Sequence, residues 1–133
     1  MSNHAAGSFD VKTTPFDDKS DDPTLARIAL DKQYHGDIEG TAKGQMLSAG
    51  SPAKGFAGYV AIEKITGTLN GRAGTFVLQH SGTLENSIPQ MTITVVPGSG
   101  TGQLEGIAGK MTIKFAPGGK HLYEFDYTLP AQN

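Results

Sequence analysis

No cysteine and no tryptophan occur in the 133 residues. The missing cysteine excludes disulfides, thiolate nucleophiles and thiolate metal sites, and leaves the redox compartment unmarked. An excess of positive charge is also absent. Eleven Lys+Arg stand against 13 Asp+Glu, for a net charge of −2, so no basic field attracts a phosphate backbone and nucleic acid is not expected as a partner. No apolar run approaches the roughly 20 residues of a membrane-spanning helix. The opening MSNHAAGSFD lacks the basic and apolar regions of a secretory leader, so a soluble, cytoplasmic chain is expected. The length suits one domain, 1–133, which needs neither metal nor disulfide to fold. Residues 1–6 are expected as a flexible N-terminal tail.

What the chain has in quantity is glycine, 18 residues of it, set between runs of alternating apolar and polar side chains. The clearest run is ITGTLNGRAGTFVLQHSG, Ile65 to Gly82. Asn70-Gly71 signals a hairpin, because a type I′ turn needs positive φ at both central positions. Beyond it Phe76, Leu78 and His80 share one face, and Thr75, Val77, Gln79 and Ser81 the other. The same period of two recurs elsewhere. Gly7 to Thr14 reads as a first strand, with Phe9 and Val11 on one side. Thr24 to Tyr34 fits helix spacing at Leu25, Ile28 and Ala29, and strand spacing at Ile28, Leu30, Lys32 and Tyr34. Strand is preferred, because the pattern runs through a turn at His35-Gly36-Asp37 into a stretch where Gly40 and Gly44 disfavour a helix.

Further on, Ser48 to Lys54 reads as a loop and Gly55 to Thr66 as a strand with apolar groups on both faces, which leaves its orientation open. Glu85-Asn86-Ser87 and Pro117-Gly118-Gly119 read as turns. Pro89 suits only the beginning or edge of a strand. Met91, Ile93 and Val95 alternate with threonines, as do Met111, Ile113 and Phe115 with Thr112 and Lys114. The last strand sets His121, Tyr123, Phe125 and Tyr127 against Leu122, Glu124, Asp126 and Thr128. About eight strands with turns between them and no strong amphipathic helix predict an all-β chain, and an eight-stranded antiparallel barrel removes the strand edges.

Few motifs carry chemistry. Pro15 to Pro23 holds four aspartates, but the spacing of a calcium loop is absent, and a solvated acidic loop is expected. The four histidines show no HxH or HExxH spacing, and no metal site is expected. There is no Gly-x-Ser-x-Gly elbow. Pro97 to Gly102 is glycine-rich but precedes no helix, so it makes a turn and not a phosphate cradle. No cofactor is implied. His35 reads as a surface turn residue, His4 as part of the tail, and Arg72 as a solvated charge that reaches a ligand carboxylate if a barrel mouth opens beside it.

The candidate ligand-binding set is Tyr59, Glu63, His80, His121 and Tyr123. The closing strand exposes Glu124 and Asp126 most cheaply if Tyr123, Phe125 and Tyr127 face in. His80 is then interior with Phe76 and Leu78. An isolated buried carboxylate is costly, so an inward Glu63 needs a cation such as His80 or access to water. Such a pair is able to hold or move a proton. The bland alternative is that Glu63 and His80 form a satisfied buried hydrogen-bonded pair, or point outward.

VVPGSGTGQLEGIAGKMTIKF, Val95 to Phe115, followed by HLYEFDYTL, His121 to Leu129, resembles the allene oxide cyclase-like barrel superfamily. DKQYHGDIEGTAKGQML with GYVAIEKITGTLNGRAGTFVLQHSG is similar, more closely, to a bacterial family of unknown function within it. The resemblance implies an eight-stranded barrel, an apolar cavity and often a trimer. The plant cyclases carry a glutamate and an asparagine on their first strand. Here that strand reads FDVKTTP, with neither, so cyclase activity on a fatty-acid epoxide does not carry over. Three functions are therefore expected in competition. One is a barrel binding a small apolar or amphipathic molecule in a cavity of a few hundred cubic ångströms, roughly the usual size. Another is a cyclase or isomerase on a lipid- or polyketide-like substrate, with Glu63 and His80 as a proton-transfer pair. The third is a homo-oligomer, dimer or trimer, joined through Val60, Ile62, Val77 and Val96 on the outer wall.

Overall fold

In the computed structural model, which describes residues 3–16 and 24–130, the alternation along the chain becomes the inside and outside of a closed barrel. Eight antiparallel strands follow each other around it in chain order. They are β1 (Asn3–Pro15), β2 (Leu25–Gly36), β3 (Ile38–Ser51), β4 (Phe56–Leu69), β5 (Arg72–Glu85), β6 (Ile88–Val95), β7 (Ala108–Ala116) and β8 (Lys120–Thr128), with β1 closing on β8. Most of the expected acidic loop, residues 17–23, lies outside the described residues.

Local sequence explains the connections. Asn70 and Gly71 take φ of 48° and 82°, as a two-residue I′ hairpin demands. Asn86 and Ser87 do the same between β5 and β6, and the three-residue β7–β8 turn, 117–119, has positive φ at Gly118 and Gly119. The segment at Thr24 to Tyr34 is strand and not helix. The expected flexible tail is corrected in part: residues 3–6 already belong to β1. Ala5 is fully buried opposite Phe125, because this pairing completes the circle of strands.

The two ends of the barrel differ. At one, the connection between β6 and β7 folds across the opening and buries Leu104 and Ile107 against the core. Phe76, Phe125, Tyr127, Ile38 and Leu69 pack there. At the other end the inner face becomes progressively accessible. Val11, Leu30, Met46 and Tyr59 are half-buried, and Met91 and Phe115 are exposed. The seam between β6 and β7 contributes to this. Its pairing consists of Ile93 with Met111 and Thr94 with Lys110. From there to the rim, β6 pairs with β5 and β7 pairs with β8, and the two do not pair with each other.

Candidate functional site

A charged cluster lies in the barrel interior where the sealed half meets the accessible half. Its centre is Glu63 on β4, fully buried. The register settles the orientation that the sequence left open: Ala61, Glu63, Ile65 and Leu69 point inward, and Val60, Ile62 and Lys64 point out. His80 on β5 is also buried and inward. The two come together because Ala61, two residues from Glu63, is the cross-strand partner of His80.

Glu63 accepts three hydrogen bonds. His80 Nε2 lies 2.5 Å and Lys32 Nζ 2.7 Å from its Oε2. The Tyr34 hydroxyl donates a short hydrogen bond to Oε1. Burial works against ionisation of this carboxyl. The hydrogen bond from His80 and the positive charge of Lys32 outweigh it and hold the pKa at about 2. Glu63 is therefore a carboxylate with no proton to offer, and His80 must carry its proton on Nε2. With Nε2–H engaged, Nδ1 is the acceptor position of the one-proton tautomer. Among the described residues Nδ1 has no hydrogen-bond partner, and no buried side-chain polar atom lacks one. Nδ1 is accordingly not fully buried.

Lys32 and Tyr34 were not among the residues expected at the site. The signal was present: Ile28, Leu30, Lys32 and Tyr34 share one face of β2, and a cation in line with three apolar groups calls for a buried anion. Burial, followed by the charge of Glu63, pushes the Tyr34 phenol well above its ordinary range, so it remains a donor. The Lys32 ammonium also sits 4.7 Å from the centroid of the Phe9 ring, within cation–π range.

The other expected residues separate. Tyr59 is half-buried on the same face as Glu63, its ring lying across Gly82, the residue paired with it on β5. Burial and the nearby Glu63 charge raise its phenol pKa, and among the described residues its hydroxyl has no partner. His121 is half-buried nearer the rim, stacked on Phe9 at 5.0 Å and edge-on to Phe115 at 5.3 Å. Tyr123 turns toward the sealed half. Its hydroxyl accepts from Ile38 N–H at 2.8 Å and donates to the His35 carbonyl at 3.0 Å, which ties the β2–β3 turn to β8.

The remaining histidines are peripheral. His35 and His4 are exposed beside Asp10 and Asp126 respectively. Arg72 is exposed at the end away from the accessible rim, next to the Asn70-Gly71 turn. Among the described residues no cluster of three or more His, Cys, Asp or Glu is placed to hold a metal ion. No helix among them is long and apolar enough to cross a membrane.

Fold and site define a closed eight-stranded β-barrel with an ion pair and an imidazole at mid-height. The chain belongs to DUF3224, a family of proteins of unknown function whose model matches residues 5–127. It is similar to a crystal structure, at 1.84 Å, of a protein of unknown function from the same family in Shewanella oneidensis MR-1. Identity is 42%, the TM-score is 0.90, and the match covers 98% of this chain and 100% of that one. No curated protein matches.

Proposed function

We propose that the barrel binds a small amphipathic molecule through its accessible end, the polar part resting on Lys32, His80 and Tyr59. The observation that carries this reading is the gradient on the inner face: fully buried Glu63, then Lys32 and His80 at 6% and 4% exposure, then half-buried Tyr59, Met46 and Ile113, then Phe115 at 71%. Stability alone does not require an ion pair there, since hydrophobic replacements of buried pairs are often neutral or stabilising. The incomplete β6–β7 seam gives an apolar entry flanked by Met91, Ile113 and Phe115. A kinship with the allene oxide cyclase-like barrels is part of the same reading.

The test uses anilinonaphthalene sulfonate, an apolar fluorophore with an anionic group. Saturable binding at one site per chain, weakened at least tenfold by Met46→Trp in a folded protein, is expected. Binding unaffected by that block, or none, overturns the reading.

A second reading, of self-association, rests on a different surface. The outer face carries a groove of about 740 Å³ whose lining includes Leu47, Val60, Ile62, Lys43 and Lys64. Leu47, Val60 and Ile62 are each about half exposed (54%, 53% and 49%). Val77 and Val96, expected in the same patch, are half-buried. A homo-oligomer, dimer or trimer, covers this face. Sedimentation equilibrium of the wild type and of Val60→Glu checks it: a monomer at high concentration in both removes the reading.

A further inference from the structure

We infer that His80 is a general base acting on an enolisable ketone held in the barrel mouth, with Lys32 and Tyr59 as donors to the ketone oxygen. This rests on the binding site proposed above and adds a reaction to it.

The inference starts from the tautomer. His80 Nε2 lies 2.5 Å from Glu63 Oε2, so in the one-proton tautomer that donates to Glu63 the lone pair lies on Nδ1, an atom without a partner among the described residues and not fully buried. A base so placed gains from its carboxylate partner when it accepts a proton, since Glu63 stabilises the imidazolium at hydrogen-bond distance. An imidazole serving only as a structural link has no need of an open second nitrogen. The donors are independent of it. Lys32 gives Glu63 one of its three N–H groups and is 6% exposed. Lys32 Nζ and His80 Nε2 share the same Glu63 oxygen, so the ammonium and the imidazole ring are neighbours in the barrel interior. The Tyr59 hydroxyl has no partner among the described residues. The surroundings are apolar, which strengthens hydrogen bonds to a developing oxyanion.

The step balances without a cofactor. Nδ1 takes a proton from the carbon next to the carbonyl. The C–H electron pair becomes the C=C bond, and the carbonyl π pair moves to oxygen, where Lys32 and Tyr59 donate to it. The imidazolium returns a proton to the same carbon, giving exchange, or in a conjugated substrate to a more distant carbon, giving a double-bond isomer. Glu63 is a positioning residue in this scheme.

The probe is 4-phenylbutan-2-one in D2O, with loss of its α-protons followed by proton NMR. Saturation-transfer difference spectra of the same samples report binding. The wild type is expected to bind the ketone and to exchange its α-protons saturably. The rate should rise as pH increases through the titration of one group. The other titratable groups on that inner face are Lys32, Tyr34, Tyr59, Glu63, His121, Tyr123 and Tyr127. His80→Gln, which retains a donor for Glu63, is expected to bind the ketone, to lose at least 100-fold in rate and to lose the pH dependence. Tyr59→Phe breaks no hydrogen bond within the protein and should lose about tenfold with its pH profile intact.

Ketone binding without exchange above buffer, or exchange unchanged in His80→Gln, overturns the base and leaves the binding site standing. Failure to bind the ketone, while the fluorophore binds, overturns the substrate class and with it this inference. Failure of both ligands to bind removes the site itself.

Discussion

Lys32 and Glu63 meet at 2.7 Å although they are not on neighbouring strands: β3 runs between them. The register shows how. Lys32 pairs with Ala42, and Glu63 pairs with Gly44, so the inner face of β3 offers only a methyl group and a hydrogen where the ammonium passes over it. The small residues of β3 are therefore part of the site.

Removing the anion from this arrangement leaves a buried ammonium unpaired. Glu63→Gln should destabilise the protein by about 3–5 kcal/mol, the usual cost of breaking a buried pair from one side. Adding Lys32→Met to that variant should recover most of the loss, because the second change removes the stranded charge. Urea unfolding of the two variants and the wild type measures this. A double variant no more stable than Glu63→Gln contradicts the pairing.

The same carboxylate sets an acid limit. Its pKa falls from 4.5 to about 2 on folding, so the folded state binds this proton less tightly than the unfolded one. The resulting stability is complete above pH 4.5 and is lost as pH falls toward 2. Its size is about 3 kcal/mol, at roughly 1.4 kcal/mol per pH unit. Wild type should lose stability steeply over that window. Glu63→Gln should show a shallower loss, left to the exposed carboxylates. Unfolding free energies at several pH values from 2 to 6 decide it, and equal slopes refute it.

The barrel was legible because period two is a direct consequence of strand geometry, and Asn70-Gly71 and Pro117-Gly118-Gly119 mark hairpins by backbone sterics alone. The site was half legible. His80 followed from its line with Phe76 and Leu78. Glu63 was legible as its candidate partner, but its inward orientation stayed open because both faces of its strand carry apolar residues, Val60 and Ile62 outside as well as Ala61 and Ile65 inside. Lys32 escaped because lysine is read as a surface residue, and its partner lies two strands away in a register no local pattern specifies. The start of β1 was missed for a similar reason: His4 and Ala5 are ordered by β8, more than 100 residues later.

Tyr123 tests whether an expected site residue serves structure. Its hydroxyl satisfies the buried Ile38 N–H at 2.8 Å. Tyr123→Phe should cost about 1–3 kcal/mol, because it strands that donor, and should leave fluorophore binding at the far end within twofold. Thermal unfolding and the binding titration separate the two roles. A large loss of binding in a fully stable protein would return Tyr123 to the ligand site.

Two glycines give opposite forecasts for the same substitution. A Cβ at Gly44 would stand 1.9 Å from the Ile62 carbonyl oxygen and 2.7 Å from Glu63 Cα, both backbone atoms with little freedom to move. Gly44→Ala must spread β3 from β4 beside the ion pair, and should cost about 3 kcal/mol or more, at the top of the range for overpacking. Gly118, in the β7–β8 turn, has open space around it and φ of 83°. There alanine meets only the left-handed backbone penalty, about 1–2 kcal/mol. The two variants should also differ in kind. Spreading at Gly44 disturbs the approach of Lys32 to Glu63, so part of the acid-dependent stability should vanish with it, whereas Gly118→Ala should shift the whole pH curve down without changing its shape. Unfolding curves for both variants at pH 3 and pH 6 provide the comparison, and a Gly44→Ala curve parallel to wild type would show that β3 does not govern the pair.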